Sequence, residues 1–177
     1  MYLTMRIIDR KPVYDGFFKL YKLTIEDEGE TYDREVFETG NAVAALVYDT
    51  SRQRFIFVEQ FRPAVNQYLL ELPAGLLDKE GESHEEALTR EIAEETGYAV
   101  DRLEHILNFY PSPGGFAEKL HIFYAEVSHK TSEGGGAQGE NEKIKVLELS
   151  AGEVRALTLV DAKTIIAVQW AQLKGIL

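Results

Sequence analysis

The sequence predicts an α+β fold. Short runs of strand character outnumber helical stretches, two of those runs are apolar almost throughout, and the helical segments punctuate the strands without strict alternation. At 177 residues the chain can bury one full core without cross-links. We divide it into a small β extension over residues 1–40 and a main domain over residues 41–177.

In chain order, FKLYKLTIED (Phe18–Asp27) and TYDREVFE (Thr31–Glu38) alternate polar with apolar residues and read as strands joined by the turn Glu28–Glu30. NAVAALVYD (Asn41–Asp49) and RFIFVEQF (Arg54–Phe61) are more continuously apolar, as strands covered on both faces are, and the polar turn at Thr50–Gln53 makes them a hairpin. LLELPAGLL (Leu69–Leu77) leads into GESHEEALTREIAEETGY (Gly81–Tyr98). There Ser83 and Glu86 form the S-x-x-E pattern that starts a helix, and Gly97 is a natural stop. Further strands are expected at Leu103–Tyr110, Lys119–Val127 and Ile144–Leu149, with HKTSEGGGAQGENE read as a flexible loop by composition. One or two helical turns fit between Leu149 and Asp161. A last helix, about Ala162–Lys174, carries an apolar stripe better suited to a core or subunit interface than to a cofactor.

The chain has no cysteine, which excludes disulfides, thiolate metal sites and a cysteine nucleophile. Its net charge of −11 argues against general binding to nucleic acid or anionic membrane. With no long apolar run and no apolar leader in MYLTMRIIDRK, a soluble cytoplasmic protein is expected. A phosphate-bearing small ligand would need cations supplied at the site.

Against that background, Gly81–Tyr98 concentrates six glutamates. On a helix Glu91 and Glu95 lie one turn apart on one face, Glu94 lies in the same sector, and Leu88 and Ile92 point towards a core. A solvated acidic face is the plain alternative, but such a face would more cheaply intersperse lysines, and Arg90 is the only cation in the helix. Convergent carboxylates at this spacing suit hard divalent cations.

Gly75, Glu82, Arg90, Glu91, Ile92, Glu94, Glu95, Gly97 and Tyr98 resemble the box of the Nudix hydrolases, G-x5-E-x7-R-E-U-x-E-E-x-G-U with U apolar or aromatic. Six residues separate Gly75 from Glu82 instead of five, the extra one falling in the turn before the helix. The resemblance implies a mixed β-sheet sandwiched between helices and hydrolysis of a nucleoside diphosphate linked to another group. It implies Mg²⁺, with Mn²⁺ as a substitute, held by Glu91, Glu95 and the main-chain carbonyl of Ala74. Glu94 would either bind metal or support the residues that do, and Arg90 would orient the glutamates.

Three more segments are similar to the ADP-ribose and nucleotide-sugar pyrophosphatase branch: SPGG at Ser112–Gly115 followed by Glu118, GENEKIKVLEL at Gly139–Leu149, and DREV at Asp33–Val36. By that likeness Glu142 is a further metal ligand and Glu140 the general base, with Glu94 next in line. Arg62 and Lys163 would meet phosphate or sugar, the plainer reading of each being a surface salt bridge. Arg34, Glu35, Glu118 and the loop residues Ala74, Gly75 and Leu76 would add substrate contacts, and Arg34 and Glu35 would do so across a homodimer. Phe17 would stack on the base or else belong to the core. The four histidines are scattered and read as structural. The implied substrate is ADP-ribose or GDP-mannose. The alternatives are a domain that senses such a ligand without cleaving it and an enzyme that cleanses nucleoside triphosphates.

Overall fold

A computed structural model describes residues 4–136 and 143–177. The chain forms two compact units, one of the residues through Asn41 together with Tyr110–Lys119, the other of Ala42–Phe109 and Leu120–Leu177.

The first unit is an antiparallel sheet of β1 (Arg6–Asp15), β2 (Lys19–Asp27) and β3 (Glu30–Glu38), in that order. Its second hairpin turns at Glu28-Gly29, both with positive φ, so that Asp27 pairs with Glu30. The Ser112–Gly115 loop joins this unit. Phe37 N–H donates to the Gly115 carbonyl (2.8 Å) and the Ala117 N–H to the Phe37 carbonyl (3.0 Å). The rings of Phe17, Phe18, Phe37 and Phe116 follow one another edge to face at 4.8, 5.6 and 5.5 Å.

The second unit is a mixed sheet, seven-stranded among the described residues. It comprises β4 (Ala42–Asp49), β5 (Arg54–Arg62), β6 (Gln67–Glu71), β7 (Ala74–Leu76), β8 (Tyr98–Phe109), β9 (Leu120–Lys130) and β10 (Lys145–Leu149). The main path runs β10-β5-β4-β9-β8, with β6 on β5 and β7 on β4. The β4 and β9 strands are parallel and their neighbours antiparallel. One edge of β4 is shared, with β7 pairing Ala42–Ala44 and β5 pairing Val47–Asp49.

Strand alternation sorts the apolar residues to two faces. On one, Ala44 and Leu46 of β4 pack with Phe57 and Ile122 against α2 (Ala151–Ala156) and α3 (Ala162–Leu173). On the other, Val43, Ala45 and Val47 pack with Ile56 and Phe123 against Ala87, Leu88 and Ile92 of α1 (His84–Thr96). The sheet is thus sandwiched between helices, and Ala167, Val168 and Ala171 of α3 are core, whereas Leu173 is 89% exposed.

Three readings are corrected. Residues 6–15 form a strand that the sequence did not announce, because all of β1 is exposed and shows no buried alternation. The strand expected at Leu103 begins at Tyr98. His129 and Lys130, read as loop, still belong to β9.

Candidate active site

The glutamate helix begins and ends where its caps require. Ser83 Oγ accepts the Glu86 N–H (3.2 Å) and the Glu86 carboxylate accepts the Ser83 N–H (2.9 Å), while Gly97 closes the helix at φ 78°. Its apolar residues go into the core, which turns Glu91 and Glu95 towards β7.

Two backbone features of β7 meet those carboxylates. The Ala74 N–H donates to Glu95 Oε2 (3.1 Å), and Glu95 is only 6% exposed. A Cβ built on Gly75 would lie 2.0 Å from Glu91 Cδ, so only glycine leaves room for that carboxylate beneath the strand. Oxygen donors on one helical face, beside a strand backbone cut back to make room for one of them, fit a hard divalent cation. Among the described residues no three acidic or histidine side chains are gathered into a cage. Glu142 lies outside the described residues, as does Glu140.

Arg90 offsets part of the remaining charge. Its Nε and Nη2 hold both oxygens of Glu82 (3.0 and 3.1 Å), and its Nη1 reaches Glu91 (2.6 Å) and Glu94 (3.2 Å). These hydrogen bonds hold the Glu82 carboxyl below the usual carboxylate range and push the guanidinium upward. The extra residue before the helix therefore does not take Glu82 out of reach. One fan-shaped cation thus offsets part of the like-charge repulsion inherent in the sequence.

Arg62 and Lys163 come together on Glu71, which is 2% exposed. Arg62 grips it with two hydrogen bonds (2.6 and 2.8 Å), and the Lys163 ammonium donates to the same carboxylate and to Asp161 (3.0 Å). Thr164 Oγ1 donates to Asp161 (2.6 Å) and accepts the Leu72 N–H (3.0 Å), which ties the start of α3 to the strand end. The surface salt bridge considered for each cation is thus replaced by a shared buried anion. Sequence reading missed Glu71, although a lone charge inside LLELPAGLL signals a buried partner.

Phe17, Arg34, Glu35 and Glu118 belong to the other unit. Phe17 is 84% exposed, which excludes the core alternative. Arg34 lies over the Tyr32 ring (4.5 Å), Glu35 is exposed opposite Lys22, and Glu118 is half-buried. Two of the scattered histidines meet: the rings of His84 and His121 are 4.0 Å apart.

A carboxylate-bearing helix beneath a glycine strand, on a mixed sheet between helices, is the arrangement of the NUDIX domain. The model of that family matches residues 38–168, and the chain belongs to the Nudix family. It is 36% identical over its whole length, and over the whole of the relative, to a protein named GDP-mannose pyrophosphatase from Cronobacter sakazakii. To a protein named ADP-ribose pyrophosphatase from Escherichia coli O157:H7 it is also 36% identical, across 96% of this chain and 88% of the relative. A solved structure described as an ADP compounds hydrolase shares the fold, with a TM-score of 0.79 over 98% of this chain and 97% of the other at 20% identity. Among the described residues no helix is long and apolar enough to cross a membrane.

Proposed function

We propose that this Nudix pyrophosphatase is a Mg²⁺-dependent hydrolase of a nucleoside diphosphate sugar, ADP-ribose or GDP-mannose, yielding a nucleoside monophosphate and a sugar phosphate. The observation that carries the reading is the seating of Glu91 under Gly75 and of Glu95 on the Ala74 N–H. Relatives bearing both substrate names at equal identity support the substrate class and leave the two sugars level. Glu91, Glu95, Glu142 and the Ala74 carbonyl would hold Mg²⁺, which when bound neutralises the diphosphate and activates water.

The chain's own residues do the rest. Arg90 keeps the glutamates in register without entering the reaction, and Glu140 takes the proton from the attacking water. Arg62 and Lys163 present positive charge to the phosphates or sugar from a preset position on Glu71. Phe17, Arg34, Glu35 and Glu118 recognise the nucleoside and sugar, Arg34 and Glu35 acting from the other subunit of a cytoplasmic homodimer.

ADP-ribose, GDP-mannose and a nucleoside triphosphate, supplied at equal concentration with Mg²⁺, test the assignment, with products identified by mass. Cleavage between the phosphates of a nucleotide sugar is expected; preference for the triphosphate with release of pyrophosphate rejects it. Gly75→Ala is expected to lower kcat about 10–100-fold while barely moving Tm, because the added methyl displaces the end of a flexible side chain and not packed backbone. A fully active Gly75→Ala enzyme would show that Glu91 does not act from that cradle. Glu140→Gln should cost about 10²-fold in kcat with metal affinity unchanged, and normal turnover would move the general base to Glu94. Sedimentation at assay concentration should give a dimer, and an active monomer contradicts the shared site.

A further inference from the structure

Glu94 and Glu95 occupy the last turn of α1, where a helix is least secure. Its final carbonyls have no partner inside the helix, the negative end of its dipole adds to the glutamate charge, and that turn contains no basic residue. The main chain supplies what side chains do not. The Gly135 N–H donates to the Glu95 carbonyl (2.8 Å) and the Gly136 N–H to the Glu94 carbonyl (3.1 Å), while Thr131 and Ser132 both donate to the Gly97 carbonyl (2.7 and 3.2 Å).

This approach is open only to glycine. Gly134, Gly135 and Gly136 have φ of 71°, 103° and 102°. A Cβ on Gly134 would stand 2.6 Å from the Glu95 carbonyl oxygen, and one on Gly97 would stand 2.1 Å from the Ser132 carbonyl oxygen. Two stretches of bare backbone therefore pack directly on each other. A lysine capping the same carbonyls would offer its charge to Glu94 and Glu95 and compete with a metal; neutral N–H groups do not.

We propose that Gly134–Gly136 is a positioning element for metal binding: a backbone clasp that keeps the last turn of α1 wound, so that Glu95 stays on the Ala74 N–H and Glu91 under Gly75. The inference rests on the metal-dependent reading above. The glycines act through the main chain of the residues bearing the carboxylates.

The test uses the full chain and Mn²⁺, with free Mn²⁺ measured by electron paramagnetic resonance, alongside Mg²⁺ titration of the rate and thermal melting. Gly134→Ala is expected to weaken Mn²⁺ binding about tenfold or more and to raise the half-activating Mg²⁺ concentration in step, with kcat recovering at saturating Mg²⁺. Gly135→Ala strains φ but meets no atom closer than the Ile144 carbonyl oxygen at 3.9 Å, so it should shift both in the same direction by less. Gly152→Ala, with nothing within 4 Å of the new methyl, should match the wild type. A Gly134→Ala protein that melts lower yet binds Mn²⁺ as the wild type does overturns the clasp. If Gly134→Ala does not fold, Gly135→Ala decides by the same measurement, and wild-type affinity there overturns it equally. Failure of the wild type itself to bind Mn²⁺ would instead sink the metal-dependent reading and, with it, the clasp.

Discussion

Glu95→Gln is expected to lower kcat by about 10³-fold, some 4 kcal/mol of transition-state stabilisation, while the protein remains folded. Glu95 is buried against the Ala74 N–H. Glutamine fills the same volume and its carbonyl can still accept that hydrogen bond. What it lacks is the negative charge and the second oxygen that a hard cation needs. Removing one of several neighbouring negative charges relieves repulsion along the helix, so the metal-free variant should melt no lower than the wild type. Metal titration of the rate, together with melting curves, separates the two effects. Undiminished activity would remove Glu95 from the metal site and unseat the proposed chemistry.

Glu71→Gln should be the most destabilising single change among the charged residues of the main unit, at about 3 kcal/mol or a fall in Tm of about 6–12 °C. The carboxylate is nearly inaccessible and pairs with two cations. Taking away its charge leaves Lys163 buried with Asp161 alone, whereas Arg62 reaches water and softens the loss. Burial alone would raise the Glu71 carboxyl, but the Arg62 hydrogen bonds and the Lys163 charge outweigh it and hold the group below the ordinary glutamate value. A folded-state value below the unfolded one means that this stabilisation is complete above the unfolded value and is lost as pH falls through the folded one. The wild type should therefore lose its margin over Glu71→Gln on acidification below the ordinary glutamate range. A pH-independent difference in Tm would show that charge is not what Glu71 contributes.

The parts of this molecule that were legible in its sequence are those governed by local chemistry. The capping box at Ser83 and Glu86 and the stop at Gly97 fix α1 without reference to the rest of the chain. The more continuously apolar runs in β4 and β5 identify strands covered on both faces, and the polar turn at Thr50–Gln53 gives their pairing. The less legible parts depend on distant partners. Gly134–Gly136 looks like a linker by composition, and its role is visible only beside the carbonyls of Glu94 and Glu95. Arg62, Glu71 and Lys163 are spread across the sequence and meet only because α3 returns to the end of β6. The β1 strand buries none of its residues, so no periodicity could mark it.

The parallel pairing of β4 with β9 has a consequence for how the chain is made. Ala42 is matched with Leu120 and Asp49 with Val127, partners about 80 positions apart, which is the kind of contact that slows folding. During synthesis β4 and β5 leave the ribosome long before β9. Until residues 120–127 emerge, a strand destined for burial on both faces has one backbone edge open, able to pair with another nascent chain. A chain halted before residue 120 is therefore the form of this protein prone to aggregate, and the completed chain escapes that fate when β9 closes the edge.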